Sequence, residues 1–339
     1  MESKILAKVI RGETVESVHR GHLIAVDGDA KVHLEIGDPE TVTYFRSASK
    51  PFQAMPFITS GAADEFGYTP EEIALACASH SGEPMHVRVV ASMLEKAGLS
   101  ETDLMCGLHL PFNEEESERL LRANETVTQL YNNCSGKHAA MLAFANHINA
   151  DTDRYLQCKH PIQQAILKTI SIFCEVPEGE VAIGIDGCCA PNFAVPLSAM
   201  ARGCLNLVAH KADFADEDVR SAAKHIVDAM LEHPELIGGT ERLDTILMKA
   251  APGKFISKVG ADGVWLCGVL PCDKYPKGLA IALKIEDGDD KRARPVVAVE
   301  VLKRLGVLPD DGLSELSHMP INNRRGDLVG RVEAYLELA

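Results

Sequence analysis

No apolar run in this 339-residue chain approaches the roughly 18 residues that a membrane-spanning helix needs. Residues 1–22 scatter charge throughout and lack the apolar centre of an export signal. Basic residues are in the minority, 34 Lys and Arg against 49 Asp and Glu for a net charge of −15, and none cluster densely. A nucleic-acid binder shows a basic face, so no nucleic-acid partner is expected. The ten cysteines, at 77, 106, 134, 158, 174, 188, 189, 204, 267 and 272, include no C-x-x-C pair. That leaves a thioredoxin-like site or a zinc ribbon with little support. Without an export signal they read as free thiols or ligands, many of them small buried hydrophobes, and the expected compartment is the cytoplasm. There is no internal repeat, low-complexity tract or linker. With 46% hydrophobic and 24% charged residues, the chain can bury a full core without staples.

Residues 5–10, 22–26, 32–36 and 42–45 are short β-rich runs punctuated by Gly12-Glu13, Asp27-Gly28-Asp29 and Gly37-Asp38-Pro39. They predict an antiparallel meander. Helical patterns then dominate, at about 51–60, 73–78, 84–97, 117–123, 137–147, 161–173 and 216–231. One apolar run, 180–185, predicts a short buried strand ending at Asp186-Gly187. Strand character returns at 255–259, 264–269 and 279–284, followed by a C-terminal helix at about 293–305 and a last element near 329–336. The expectation is one catalytic unit over 1–339, of α+β or mixed α/β class. Strands from about 4–45 and 254–286 share a sheet, a helical lobe spans about 50–253, and a cleft lies between them.

Ser47-Ala48-Ser49-Lys50 is an S-x-x-K segment between a strand and a helix with Pro51 in its first turn. The start of a helix lowers a nucleophile's pKa and favours a neutral lysine. The same pattern also suits a helix cap with a solvated lysine. A second S-x-x-K, Ser221 to Lys224, sits in a polar helix pattern with no such context. Ser79-His80-Ser81-Gly82 and Lys258-Val259-Gly260 follow in chain order. Together the three resemble the S-x-x-K, S-D-N and K-T-G set of class A β-lactamases and penicillin-binding proteins. Here Ser81 stands where Asn is expected and Val259 where Thr is, which argues against a β-lactam or peptidoglycan substrate.

A closer resemblance is carried by Phe45-Arg46-Ser47-Ala48-Ser49-Lys50-Pro51-Phe52-Gln53, Ala78-Ser79-His80-Ser81-Gly82-Glu83, Asn132-Asn133-Cys134-Ser135-Gly136-Lys137-His138, Gly184-Ile185-Asp186-Gly187-Cys188 and Ser257-Lys258-Val259-Gly260-Ala261-Asp262-Gly263. In this order they resemble the Rhizobium-type, or class 3, L-asparaginases of the asparaginase II family. Cys189 departs from the pattern, since the family usually has Gly there. The resemblance implies a serine β-lactamase-like fold, a homodimer, and the Ser–Lys pairs Ser47 with Lys50 and Ser79 with Lys258. It also implies one metal per chain, usually zinc, held by Cys134, Lys137 and Cys188. Spacing alone does not suggest that site, because C-x-x-K plus a distant Cys is not a standard zinc pattern.

The expected reaction is hydrolysis of the side-chain amide of L-asparagine, with Ser47 attacking, Lys50 as its base, and Ser79 and Lys258 relaying protons. Arg46 suits a substrate carboxylate and Asp186 an ammonium group. Asn133 and His80 are expected beside the substrate, His80 and His138 also reading as hydrogen-bonded structural histidines. Rival readings are a serine hydrolase of another amide, such as a glutaminase or a β-lactamase-like enzyme, and a non-enzymatic cysteine metal or redox sensor.

Overall fold

A computed structural model describes residues 2–209 and 214–337. Among the described residues eleven strands form two sheets: β1 (Lys4–Arg11), β2 (Thr14–Asp27), β3 (Val32–Ile36), β4 (Val42–Tyr44), β5 (Ala182–Ile185), β6 (Pro191–Pro196), β7 (Phe255–Gly260), β8 (Val264–Val269), β9 (Leu279–Ile285), β10 (His318–Asn322) and β11 (Leu328–Ala334). The larger sheet runs β10-β11-β1-β2-β9-β8-β7 with β3 beside β2, and its pairs are antiparallel. The smaller one is β4-β6-β5. Every residue of β7 and β8 is buried, so the sheet is covered on both faces there. The helix Leu197–Ala209 packs on β2, β8 and β9, and Ala293–Arg304 packs on β1, β8 and β11. An antiparallel sheet drawn from both chain ends and flanked by a helical lobe is the serine β-lactamase-like layout that the resemblance implies. No helix among the described residues is long and apolar enough to cross a membrane.

Local differences from the sequence reading have physical causes. The run 22–26 is the inner half of a 14-residue strand. Its outer half is mostly exposed and polar, so it shows no apolar alternation, and it holds strand form by pairing with β1. Residues 42–44 leave the meander and pair with β6 in the second sheet. The run 180–185 is not a buried strand: β5 is an edge strand whose Ile183 and Ile185 are 40% and 65% exposed. Neither β6, bracketed by Pro191 and Pro196, nor the helices Leu197–Ala209 and Leu243–Ala250 show in the sequence pattern. Proline at a strand's first position is tolerated yet reads as a breaker.

The lobe is centred on the helix Lys50–Thr59, buried from Lys50 through Phe57 and packed against Ser135–His147, Pro161–Cys174 and Glu217–Glu232. Phe52 fixes its start, with its ring 5.8 Å from that of Phe45 and 5.6 Å from that of Phe173. Helix Pro70–Ala76 begins with a capping box in which Thr69 and Glu72 exchange side-chain bonds with each other's backbone N–H. It crosses Ser135–His147 so closely that a Cβ on Gly136 would lie 2.3 Å from the Leu75 carbonyl oxygen. Gly136→Ala should therefore push apart the two helices that carry Ser79 and Lys137 to the cleft. We expect a loss of about 1–3 kcal/mol, typical of overpacking, read as a lower midpoint in chemical denaturation. A midpoint equal to wild type would show that the contact relaxes freely.

Candidate active site

A pocket of about 770 Å³ opens where the lobe meets the edge of the large sheet; its walls include Ser47, Ser79, Asn133, Cys134, Asp186 and Cys188. Ser47 lies in a 3-10 turn, Arg46–Ser49, that runs directly into the Lys50–Thr59 helix. Ser79 follows the Pro70–Ala76 helix and is buried. Lys258 comes from β7, the sheet edge, and is also buried.

The structure brings both lysines to one serine. Lys50 Nζ and Lys258 Nζ each donate to Ser79 Oγ at 3.0 Å. Lys50 also donates to the carbonyls of Ala78 and Asn133, the latter at 3.2 Å. Ser47, 9% exposed, has no hydrogen bond to its hydroxyl among the described residues. Two N–H donors occupy the lone pairs of Ser79 Oγ, so the hydroxyl's remaining role is to give up its own proton.

Lys258 is held by a buried carboxylate that sequence reasoning did not single out. Asp244 Oδ2 lies 3.4 Å from Lys258 Nζ, and the Asp244 carboxylate also accepts from the Val259 N–H. Asp244 Oδ1 further accepts from Ser257 Oγ, which accepts from the indole of Trp265. That carboxylate thus caps the edge strand and closes a buried chain from Trp265 to Ser79. The local sequence around Asp244, an acid in the first turn of a helix, looks like an ordinary surface position. Burial pushes the Lys258 amine down to about 8; Asp244 pulls it back up, and Lys50 and Arg242 push it further down. This is a lysine that loses its proton close to neutral pH.

Arg46 and Asp186 are already bonded to each other, Nε to Oδ1 at 2.8 Å, and Arg46 also meets Asp262. Gly187 N–H donates to the same Asp186 oxygen at 2.8 Å, which leaves Oδ2 with no donor among the described residues. Arg46 sits at φ +50°, in the left-handed region, and its N–H is held by Asn192 Oδ1 at 3.1 Å. Such a conformation costs on the order of 1 kcal/mol or more and persists only when its surroundings over-determine it. Asn133 faces the pocket, and its N–H donates to His109 Nε2 at 3.0 Å. His80 does not line the pocket. It is buried, stacks on His86 at 5.0 Å, accepts from Gly82 N–H at Nδ1, and reaches Ser135 Oγ through Nε2 at 2.9 Å. Burial first, then His86 and Lys50, hold it well below the usual histidine range, so it stays neutral. Ser221 and Lys224 lie on the helix Glu217–Glu232, with Lys224 exposed and paired to Asp228.

Cys134, Lys137 and Cys188 converge in a buried cluster, with Lys137 Nζ 3.0 Å from Cys188 Sγ. A hydrogen bond from Cys134 drives the Cys188 thiol strongly toward thiolate, against burial and with help from Lys137. Burial opposes the Lys137 charge, but Cys188 and Cys134 more than offset it and raise its pKa. Two sulfurs and an amine meeting at one point fit a borderline-soft ion, which would take the place of the Lys137 proton. Among the described residues no cluster of three or more His, Cys, Asp or Glu side chains could hold a metal, so any such site depends on the lysine. All ten cysteines are unpaired. Cys189 sits at φ +68°, the left-handed region in which glycine is at ease, which explains the usual family residue at this position.

This arrangement of serines, lysines and a pocket carboxylate belongs with amide hydrolases. The chain is a member of the family described as L-asparaginase II, whose model matches residues 7–334. No curated protein matches it in a search by sequence. Among solved structures, a Bacillus subtilis glutaminase in covalent complex with 5-oxo-L-norleucine is 14% identical, with TM-score 0.41 over 85% of this chain and 87% of that one. A Bacillus glutaminase in 4.3 M NaCl is 14% identical, with TM-score 0.39 over 85% and 92%. A mutant of the class A β-lactamase of the last common ancestor of Gram-negative bacteria is 16% identical, with TM-score 0.41 over 85% and 92%.

Catalysis that needs neutral Lys258 should gain about tenfold per pH unit on the acid side and level off above about pH 8. Asp244→Asn removes the group that raises this pKa, so the rising limb should move to lower pH. Initial rates of ammonia release between about pH 6 and 10 would show it. A limb that stays put would place the titrating group elsewhere.

Proposed function

We propose that this protein hydrolyses the side-chain amide of L-asparagine to L-aspartate and ammonia through a β-aspartyl ester on Ser47. Family membership supports the substrate class. The observation that carries the mechanism is the single hydroxyl, Ser79, shared by Lys50 and Lys258 beside a second, unbonded serine. Ser47 Oγ attacks the amide carbon, and its proton passes through Ser79 to neutral Lys258. The Ser47 N–H, in the first turn of the helical run that begins at Arg46, stabilises the oxyanion. The C–N bond then breaks as Ser79 delivers a proton to the departing nitrogen and is reprotonated by Lys258. Water attacks the ester carbonyl and gives its proton to Lys258; the bond between that carbon and Ser47 Oγ then breaks as Lys258 returns the proton through Ser79 to Ser47, releasing aspartate. Asp186 Oδ2 takes the substrate ammonium, and Arg46 holds that carboxylate in place.

Cys134, Lys137 and Cys188 would hold zinc at the pocket wall; when bound it supplies fixed positive charge and shape rather than the nucleophile. The family resemblance adds a homodimer, and unpaired thiols suit a reducing cytoplasm. A pocket of about 770 Å³ exceeds the needs of asparagine, so glutamine is the second substrate to compare. Ammonia release from asparagine and glutamine, with nitrocefin as control, separates asparaginase from glutaminase and β-lactamase. Absence of all turnover would favour the cysteine sensor.

Ser47→Ala should abolish both turnover and the covalent aspartyl adduct seen by mass spectrometry after acid quench. Ser79→Ala should keep slow adduct formation, with turnover down by roughly 10²–10⁴-fold, the usual worth of proton transfer. The reverse pattern would exchange the two serines. Elemental analysis should find one zinc per chain, and chelation should raise KM more than it lowers kcat, the mark of lost positioning. Metal-free protein with normal kinetics would remove the metal from the scheme.

A further inference from the structure

Four cations line the pocket: Arg46, Arg242, Lys291 and Arg294. Arg46 is neutralised by Asp186 and Asp262. Arg294 is buried and spends its guanidinium on Asp290 and the carbonyls of Gly260 and Val264. Arg242 and Lys291 have no carboxylate partner among the described residues. Lys291 is exposed and its side chain has no partner among the described residues, whereas Arg242 is half-buried and lies over the Phe112 ring, 5.4 Å from its centre. A pocket that must take a free amino acid needs a cation without a carboxylate of its own, and Arg242 is the one fixed in place.

The loop carrying Arg242 is bolted to the catalytic segment. Ser79 N–H donates to the Ile237 carbonyl at 2.8 Å, and Ser81 Oγ donates to the Gly238 carbonyl at 2.7 Å. The Glu83 carboxylate accepts from Thr240 N–H at 2.9 Å and from Thr240 Oγ1 at 2.8 Å. Gly239, at φ +119°, lets the two segments touch: a Cβ there would lie 2.5 Å from Glu83 Oε1 and 2.6 Å from Ser81 Oγ. Ser81 and Glu83 therefore have a job apart from proton transfer. They fix the distance between Ser79 and Arg242.

We propose that Arg242 binds the α-carboxylate of the amino-acid substrate, a role that deepens the asparaginase reading and rests on it. Its planar fork suits a carboxylate bidentately, and the Phe112 face pre-orients it. The charge of Arg242 also reaches the catalytic centre, where it helps depress Lys258. A carboxylate seated on Arg242 cancels part of that effect.

The test compares L-asparagine with its α-amide, L-aspartic diamide, which keeps the reacting amide and the ammonium but lacks the carboxylate. Arg242→Gln should raise KM for asparagine roughly 10- to 100-fold, the worth of a charged hydrogen-bonded pair, and leave KM for the diamide unchanged. Arg242→Lys should recover part of the loss. Equal effects on both substrates, or no effect on asparagine, would overturn the assignment. If wild-type protein cleaves neither substrate, the asparaginase reading fails, and calorimetric titration with L-aspartate then judges Arg242 by itself. A comparable affinity loss in Arg242→Gln supports the carboxylate site; unchanged affinity, or no binding to wild type, overturns it.

Discussion

Two lysine amines bonded to one buried hydroxyl are the arrangement that the rest of this molecule must accommodate. Like charges this close, away from water, repel strongly, so the fold has to supply acceptors and a counter-charge at defined points. It does so with the carbonyls of Ala78, Asn133 and Val259 and with the Asp244 carboxylate. Each acceptor comes from a different element, which is why the helical lobe and the sheet edge must meet at this place. The compromise leaves Lys258 able to change protonation near neutral pH, the property a proton shuttle requires.

The neighbouring cysteine–lysine cluster follows the same logic with the opposite balance. Around Ser79 cations outnumber the nearby anion, and burial pushes Lys258 toward neutrality. Around Lys137 sulfur supplies the negative charge, and the amine stays on the ammonium side. Lysine can therefore serve in one pocket as a base and a short distance away as a placeholder for a cation.

The sequence patterns that survive into the structure are those set by local rules. Proline in a first turn, the Thr69–Glu72 capping box and short apolar β-rich runs mark the lobe helices and the central sheet. Nothing in local pattern tells that Lys50 turns to Ser79, 29 residues away, because it is the packing of Lys50–Thr59 against Pro70–Ala76 that puts them side by side. Asp244 is equally silent. Its burial and its bond to an edge-strand N–H are tertiary facts, and its sequence neighbours describe an ordinary helix start. The strand β6 is hidden by its own prolines, and β5 reads as buried because its run is apolar, although Ile183 and Ile185 face outward.

The bolt made by Ser81, Glu83 and Gly239 has a consequence for how the enzyme chooses its substrate. A mouth whose rim is tied to the reacting segment does not clamp shut around what enters. On the proposed roles of Asp186 and Arg242, discrimination then falls on the placement of fixed charges, which ask whether a candidate carries an ammonium and a carboxylate at the right separation from an amide. A bulkier molecule that meets this electrostatic template has room to bind, while a smaller one that lacks either charge has nothing to hold it.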